Sequence, residues 1–297
     1  MELLVGNPMA VGKLFLIILG KTNVAQGYRF IMSFIGAAFA LYIVLIAAMY
    51  FGQRKLMYSP GVTMGVPVFH GIPEVVPIKL SSSDDLALTS WFRAPGTNKP
   101  IIIYFHGNAG HIGDRGVKVR KYVEAGYGIL LVGYRGYGGN SGSPTEHGLY
   151  DDATAALNFL IRTGISPDQW VLYGESLGAA VAVEMAARFG EKSPVAAVVL
   201  EAPFTSMVDA AKSHYPFAPV GMLVLDRYDS ISKINKINSP LLVVHGEADL
   251  TVPQKLGVRL FEAAHEPKTA FWIKNAGHSN LYDFDADERV MEFIETN

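Results

Sequence analysis

Between Pro60 and the C-terminus the chain alternates short β-branched apolar runs with longer stretches of helical periodicity, and this alternation leaves few architectures open. Strand patterns occupy Val75 to Leu80, Leu86 to Phe92, Ile101 to His106, Ile129 to Tyr134, Trp170 to Tyr173, Val195 to Leu200, Leu241 to His245 and Ala270 to Ile273. Helical patterns fall at Gly116 to Ala125, Leu149 to Ile161, Ser176 to Phe189, Lys255 to Ala264 and Asp285 to Glu295. Strands that follow one another through helices pair in parallel and need cover on both faces. The pattern therefore predicts an α/β fold with a mostly parallel eight-stranded sheet flanked by helices. The first two strands, joined only by Ser81 to Asp85, are expected as an antiparallel hairpin.

Composition sets the outer bounds. The 297 residues are 50% hydrophobic, enough for one large domain with sequence left over. The formal net charge is -2, and no lysine or arginine run tracks a phosphate backbone, which argues against a nucleic-acid partner. With no cysteine, disulfides, thiolate metal ligands and a cysteine nucleophile are excluded.

The surplus sequence is N-terminal. No charged residue occurs from Ile31 to Phe51. At 1.5 Å per residue a helix of that length measures about 31 Å, one hydrocarbon core. Tyr28 and Arg29 before it, and Tyr50, Phe51, Arg54 and Lys55 after it, are interface residues. The run reads as a single transmembrane helix preceding the α/β domain. Ala38-Phe39-Ala40 resembles a signal-peptide cleavage site, but apolar sequence continues beyond it. The expected division is an N-terminal segment 1–30, an anchor 31–51, a linker 52–72 and a catalytic domain 73–297 with a small flap at about 203–239. Lys13, Lys21 and Arg29 slightly outweigh Arg54 and Lys55, which places the catalytic domain outside the cytoplasm. A start at Met32 instead would remove the upstream charges and point inward.

Doubly wound sheets bind ligands beyond the carboxyl ends of their strands, so the residues there carry the functional argument. Gly174-Glu175-Ser176-Leu177-Gly178 joins a strand pattern to an alanine-rich helical one. That context makes Ser176 the candidate nucleophile on a sharp turn, flanked by glycines because larger side chains would crowd it. Asp249 follows the seventh strand and His278 the eighth, giving the chain order serine, acid, histidine of such an elbow. His278 is expected to take the serine proton, and Asp249 to fix the imidazole. Glu247, Glu201 and Asp226 are rival acids. The oxyanion donors are expected to be the amide of Leu177 and one from the loop His106 to Gly110, assigned to Asn108. His106 and His245 sit in glycine turns and are expected to bond loop backbone. Gly136 to Gly142 is neither a P-loop nor a dinucleotide fingerprint and reads as a loop beside the site. No H-E-x-x-H occurs, and neither a metal nor a cofactor is expected.

Taken together, Gln53 to Pro60, His106 to Gly110, Tyr134 to Gly138 with Ser141-Gly142, Gly174 to Gly178, His245-Gly246 with Asp249, and Gly277-His278 resemble the α/β-hydrolase superfamily. More narrowly they resemble its membrane-anchored, bud-emergence-type serine hydrolases, related to serine aminopeptidases and protein depalmitoylases. The resemblance spans nearly the whole chain and implies a Ser-His-Asp hydrolase. One departure is Gly133, where many relatives carry an acidic residue. Its absence leaves open which group pairs with Arg135. Only Ala202 to Pro240 separates the sixth and seventh strands, enough for a flap made apolar by Tyr215, Pro216, Phe217, Met222, Leu223 and Leu225. An acyl chain suits that flap, and so does packing onto the sheet. The expected activity is hydrolysis of carboxylic esters or thioesters through an acyl-enzyme, with amide hydrolysis and a non-catalytic binding module as the alternatives.

Overall fold

The computed structural model describes residues 8–190 and 193–297, with side chains from Asn23 onward. The first residues of the expected N-terminal segment, and the side chains of Lys13 and Lys21, lie outside that description. The chain forms two units, Met1–Gly52 and Gln53–Asn297.

In the first unit the described residues are helical, belonging to α1 (Pro8–Met57). The stretch Asn23–Met57 is long and apolar enough to cross a membrane, and its most apolar window has none of its residues buried. No break marks the expected boundaries after residues 30 and 51, since the helix is continuous through both. The compact second unit begins at Gln53, one residue into the expected linker 52–72. Its Ser59–Pro60 pairs in parallel with Ala109–Gly110, a two-residue ladder too short to leave a periodic signal in the sequence.

The main sheet contains β1 (Val76–Ser81), β2 (Ala87–Arg93), β3 (Ile101–Phe105), β4 (Gly128–Leu131), β5 (Trp170–Glu175), β6 (Ala197–Glu201), β7 (Leu241–Gly246) and β8 (Lys268–Ile273). Its order is β1-β2-β4-β3-β5-β6-β7-β8, with β1/β2 and β2/β4 antiparallel and the remaining pairs parallel. Alternation along each strand serves two cores. Ile101, Ile103 and Phe105 join Leu172, Leu200 and Val243 beneath α3 (Glu146–Arg162), α4 (Leu177–Gly190) and α7 (Gln254–Ala263). Ile102 and Tyr104 join Val171, Val199 and Val244 beneath α2 (Gly116–Glu124) and α8 (Ala286–Thr296). Burial on both faces is why these strands read as continuous apolar runs.

β4 stops three residues short of the expected Tyr134. At Gly133 the backbone presses against β2, where an added Cβ would overlap the Thr89 carbonyl. The Gly133 amide donates to Ser90 Oγ (2.9 Å), and Tyr137 N then turns back onto Tyr134 O (3.2 Å). An acidic residue has no room there. Arg135 instead pairs with Asp152 through Nη2 (2.7 Å) and with Asp84 through Nη1 (2.8 Å), both distant in sequence. Gly133→Ala is expected to destabilise the protein by about 1–3 kcal/mol through this overlap. Thermal unfolding of the detergent-purified chain measures it.

Candidate active site

β5 ends at Glu175 and α4 begins at Leu177, leaving Ser176 alone at the bend with φ 53°. A left-handed backbone at a non-glycine residue costs roughly 1–3 kcal/mol, so neighbouring bonds must hold it. The Ser176 amide donates to the Glu201 carbonyl (2.8 Å), and Ala179 N donates to Ser176 O (2.9 Å). The flanking glycines are sterically required. A Cβ at Gly174 would meet Gly178 O and the Ala179 backbone, and one at Gly178 would overlap the Phe105 carbonyl.

The turn brings Ser176 Oγ within 3.0 Å of His278 Nε2, and His278 Nδ1 lies 2.7 Å from Asp249 Oδ2. A carboxylate accepts only, so Nδ1 carries the proton and Nε2 is left to accept from the serine hydroxyl. Asp249 Oδ1 accepts from the amides of Thr251 and Val252, each at 2.8 Å. His245 Nε2 donates to Val252 O (2.9 Å) and lies 3.2 Å from Asp249 Oδ2. Burial of Asp249 opposes its ionisation, but hydrogen bonds from His245, His278 and Val252 prevail and hold its carboxyl below the usual range. The expected loop-backbone bond of His245 is present. Its contact with Asp249 was not expected from the sequence.

Beyond β3 the loop His106 to Gly110 is fixed from several sides. Asn108 Nδ2 donates to Met57 O (2.8 Å), while Asn108 O accepts from Ser59 N (2.9 Å) and from Tyr137 Oη (2.8 Å). The Asn108 side chain is thus structural, and the residue's amide is what it can offer a ligand. Leu177 N stands in the first turn of α4, where amides lack helical acceptors. His106 Nδ1 donates to Gly107 O (2.8 Å), and burial pushes its imidazole down to about 3, so the ring is neutral. Tyr137 belongs to the glycine-rich stretch 136–142, which therefore does adjoin the Asn108 loop.

Behind the bend lies a charged cluster that the motifs did not announce. Arg115 grips Glu175 through Nη2 (2.7 Å) and Nε (3.2 Å), and its Nη1 reaches Ala109 O (3.1 Å). Tyr104 Oη donates to Glu175 at 2.6 Å. Lys118 Nζ bridges Glu201 (2.5 Å) and Glu175 (3.4 Å), and Tyr173 Oη also donates to Glu201 (2.6 Å). Despite burial, Lys118 and Arg115 hold the Glu175 carboxyl below its usual range. Of the rival acids, Glu201 is committed here, Asp226 binds Arg54 (2.9 Å), and Glu247 is exposed. Asp249 is the acid that meets His278.

Residues 100–219 match the alpha/beta hydrolase fold family. Human alpha/beta hydrolase domain-containing protein 17B is 34% identical over 212 residues, which are 68% of this chain and 68% of that one. Lysophosphatidylserine lipase ABHD12 of Danio rerio is 33% identical over 232 residues, 72% of this chain and 59% of the lipase. A crystal structure of an alpha-beta hydrolase from Vibrio vulnificus aligns with TM-score 0.67 at 21% identity, covering 85% of this chain and 93% of its own. With this sheet order and these relatives, the chain belongs to the α/β-hydrolase superfamily.

Glu201→Gln removes the main counter-charge of Lys118, at a cost of about 3 kcal/mol. It is expected to lower Tm by roughly 6–12 °C for a chain of this size. Catalytic turnover at a permissive temperature should survive, which separates this residue from Asp249.

Proposed function

We propose that the protein is a membrane-anchored serine hydrolase that cleaves carboxylic esters or thioesters through an acyl-enzyme. The observation that carries the reading is the unbroken relay from Ser176 Oγ through His278 to Asp249. In the proposed mechanism His278 Nε2 takes the hydroxyl proton as Ser176 Oγ attacks the acyl carbon, and later returns it to the leaving oxygen or sulfur. Asp249, ionised and held by the Thr251 and Val252 amides, keeps the imidazole in the accepting tautomer and stabilises its charged form. The amides of Leu177 and Asn108 serve as oxyanion donors, each worth about 2.7–4 kcal/mol. Water then attacks the acyl-enzyme, activated by the same imidazole, and frees the acid.

A lipase among the relatives supports an acyl substrate. The apolar length of Asn23–Met57 supports the anchor, with residues 31–51 as its hydrophobic span. By the balance of flanking positive charge the catalytic unit faces away from the cytoplasm.

Asp249→Asn is expected to lower kcat by about four orders of magnitude while Tm changes little, since the tautomer inverts and the shape does not. p-Nitrophenyl esters and acyl thioesters of increasing chain length, given to the detergent-purified chain, provide the measurement. Hydrolysis that rises beyond acetyl supports an acyl groove, and a preference for acetyl over all longer chains counts against it. A D249N enzyme as fast as wild type would remove the relay from the mechanism.

A further inference from the structure

The flap between β6 and β7 contains two short helices, α5 (Met207–His214) and α6 (Val220–Leu223). Its large apolar residues turn outward: Met222 is 87% exposed, Phe217 52%, Leu225 49% and Tyr215 38%. Lys55 and Arg227, also exposed, add positive charge in the neighbouring segments. Aromatic, aliphatic and basic side chains in one surface region are the composition of membrane-interface elements.

What says which surface this region meets is the residues that grip it. Gln53 straddles Val224, its Nε2 donating to Leu223 O (3.1 Å) and its Oε1 accepting from Leu225 N (2.8 Å). Arg54 donates to both carboxylate oxygens of Asp226 (2.9 and 3.2 Å), and the hydroxyls of Tyr58 and Tyr228 meet at 2.9 Å. Residues 53–58 thus run alongside residues 223–228, one side chain apart. Gln53 follows the apolar run by a single residue, Gly52, so it stands in the chain where an anchor ending at Phe51 leaves the hydrocarbon. Side chains thus fasten the flap to the stretch of chain that begins the second unit. The same segment carries Met57 and Ser59, which bind Asn108, so the catalytic loop hangs from the same short stretch.

We infer that the apolar tip of the flap, Phe217, Met222 and Leu225 with Tyr215, is a second membrane contact seated at the boundary of headgroups and acyl chains. This rests on the anchor reading given above. Gln53 and Arg54 tie the flap to the residues that directly follow the apolar run in the chain. Lys55 and Arg227 face lipid phosphates. A substrate tail can then pass from lipid to flap without crossing water.

The absence of native cysteine makes the test direct. Full-length Met222→Cys and Ile161→Cys are each labelled with bimane and reconstituted into phosphatidylcholine vesicles containing nitroxide lipid spin-labelled near the headgroup. Ile161, 51% exposed, lies at the far end of the sheet, where α3 leads back to the start of β5. The inference predicts quenching at position 222 at least three-fold greater than at 161. It also predicts that adding Gln53→Ala with Arg54→Ala lowers the quenching at 222 at least two-fold. Equal quenching at the two positions, in a chain that resists alkaline carbonate extraction, overturns the inference and leaves the anchor standing. Extraction of the chain by carbonate overturns the anchor reading and the inference with it. Quenching at 222 unchanged by the double substitution overturns the role given to Gln53 and Arg54.

Discussion

The arrangement depends on how closely the first turn of α4 lies against the end of β3. At Gly178 there is no room for even a methyl group beside the Phe105 carbonyl. That contact puts the bend carrying Ser176 next to the loop carrying Asn108, two features separated in sequence by the whole of α2, β4 and α3. Hydrogen bonds from Ser176 N to β6 and from Ala179 N back to Ser176 O then hold the left-handed residue in place. The strain is local, and a buried sheet on both sides is what sustains it.

Buried charge supports the bend from beneath. Glu175, one residue before the serine, is largely buried, and a solitary carboxylate there would be costly. Arg115 and Lys118, spaced to share one face at the start of α2, supply the compensation. Because Arg115 also reaches Ala109 O, the same cation ties the bend to the Asn108 loop. Replacing such a cluster with apolar residues can leave stability unchanged, so its value lies in fixing relative positions. On the opposite side, residues 53–61 bind the Asn108 loop and the flap. The Asn108 loop is therefore braced from two independent directions.

Much of this was legible in the sequence, for reasons that differ by residue. The central strands were readable because each is an apolar run buried on both faces, the half-exposed edge strands through their bounding turns, and Ser176, Asp249 and His278 were legible as candidates because they fall just after three strands. The extent of β4 was not, since just past its end Gly133 approaches Thr89, a residue on another strand, too closely for any side chain. His245 gave a turn-like local pattern, and only the fold shows its second partner, Asp249. Arg115, Lys118 and Gln53 look like ordinary surface polar residues, because Glu175, Glu201 and Leu225, which they bind, lie 57 to 172 positions away. The continuity of α1 past Phe51 was hidden by its change from apolar to polar composition, which reads as the end of an apolar span without ending the helix.

In the proposed mechanism His278 makes Ser176 nucleophilic. A fluorophosphonate, incubated with the full-length chain in detergent and followed by mass spectrometry of its peptides, tests it most directly. The account predicts one adduct, on the peptide containing Ser176, absent from Ser176→Ala and formed far more slowly in His278→Gln. No adduct on the wild-type chain, or one on another residue at an equal rate in Ser176→Ala, would contradict it.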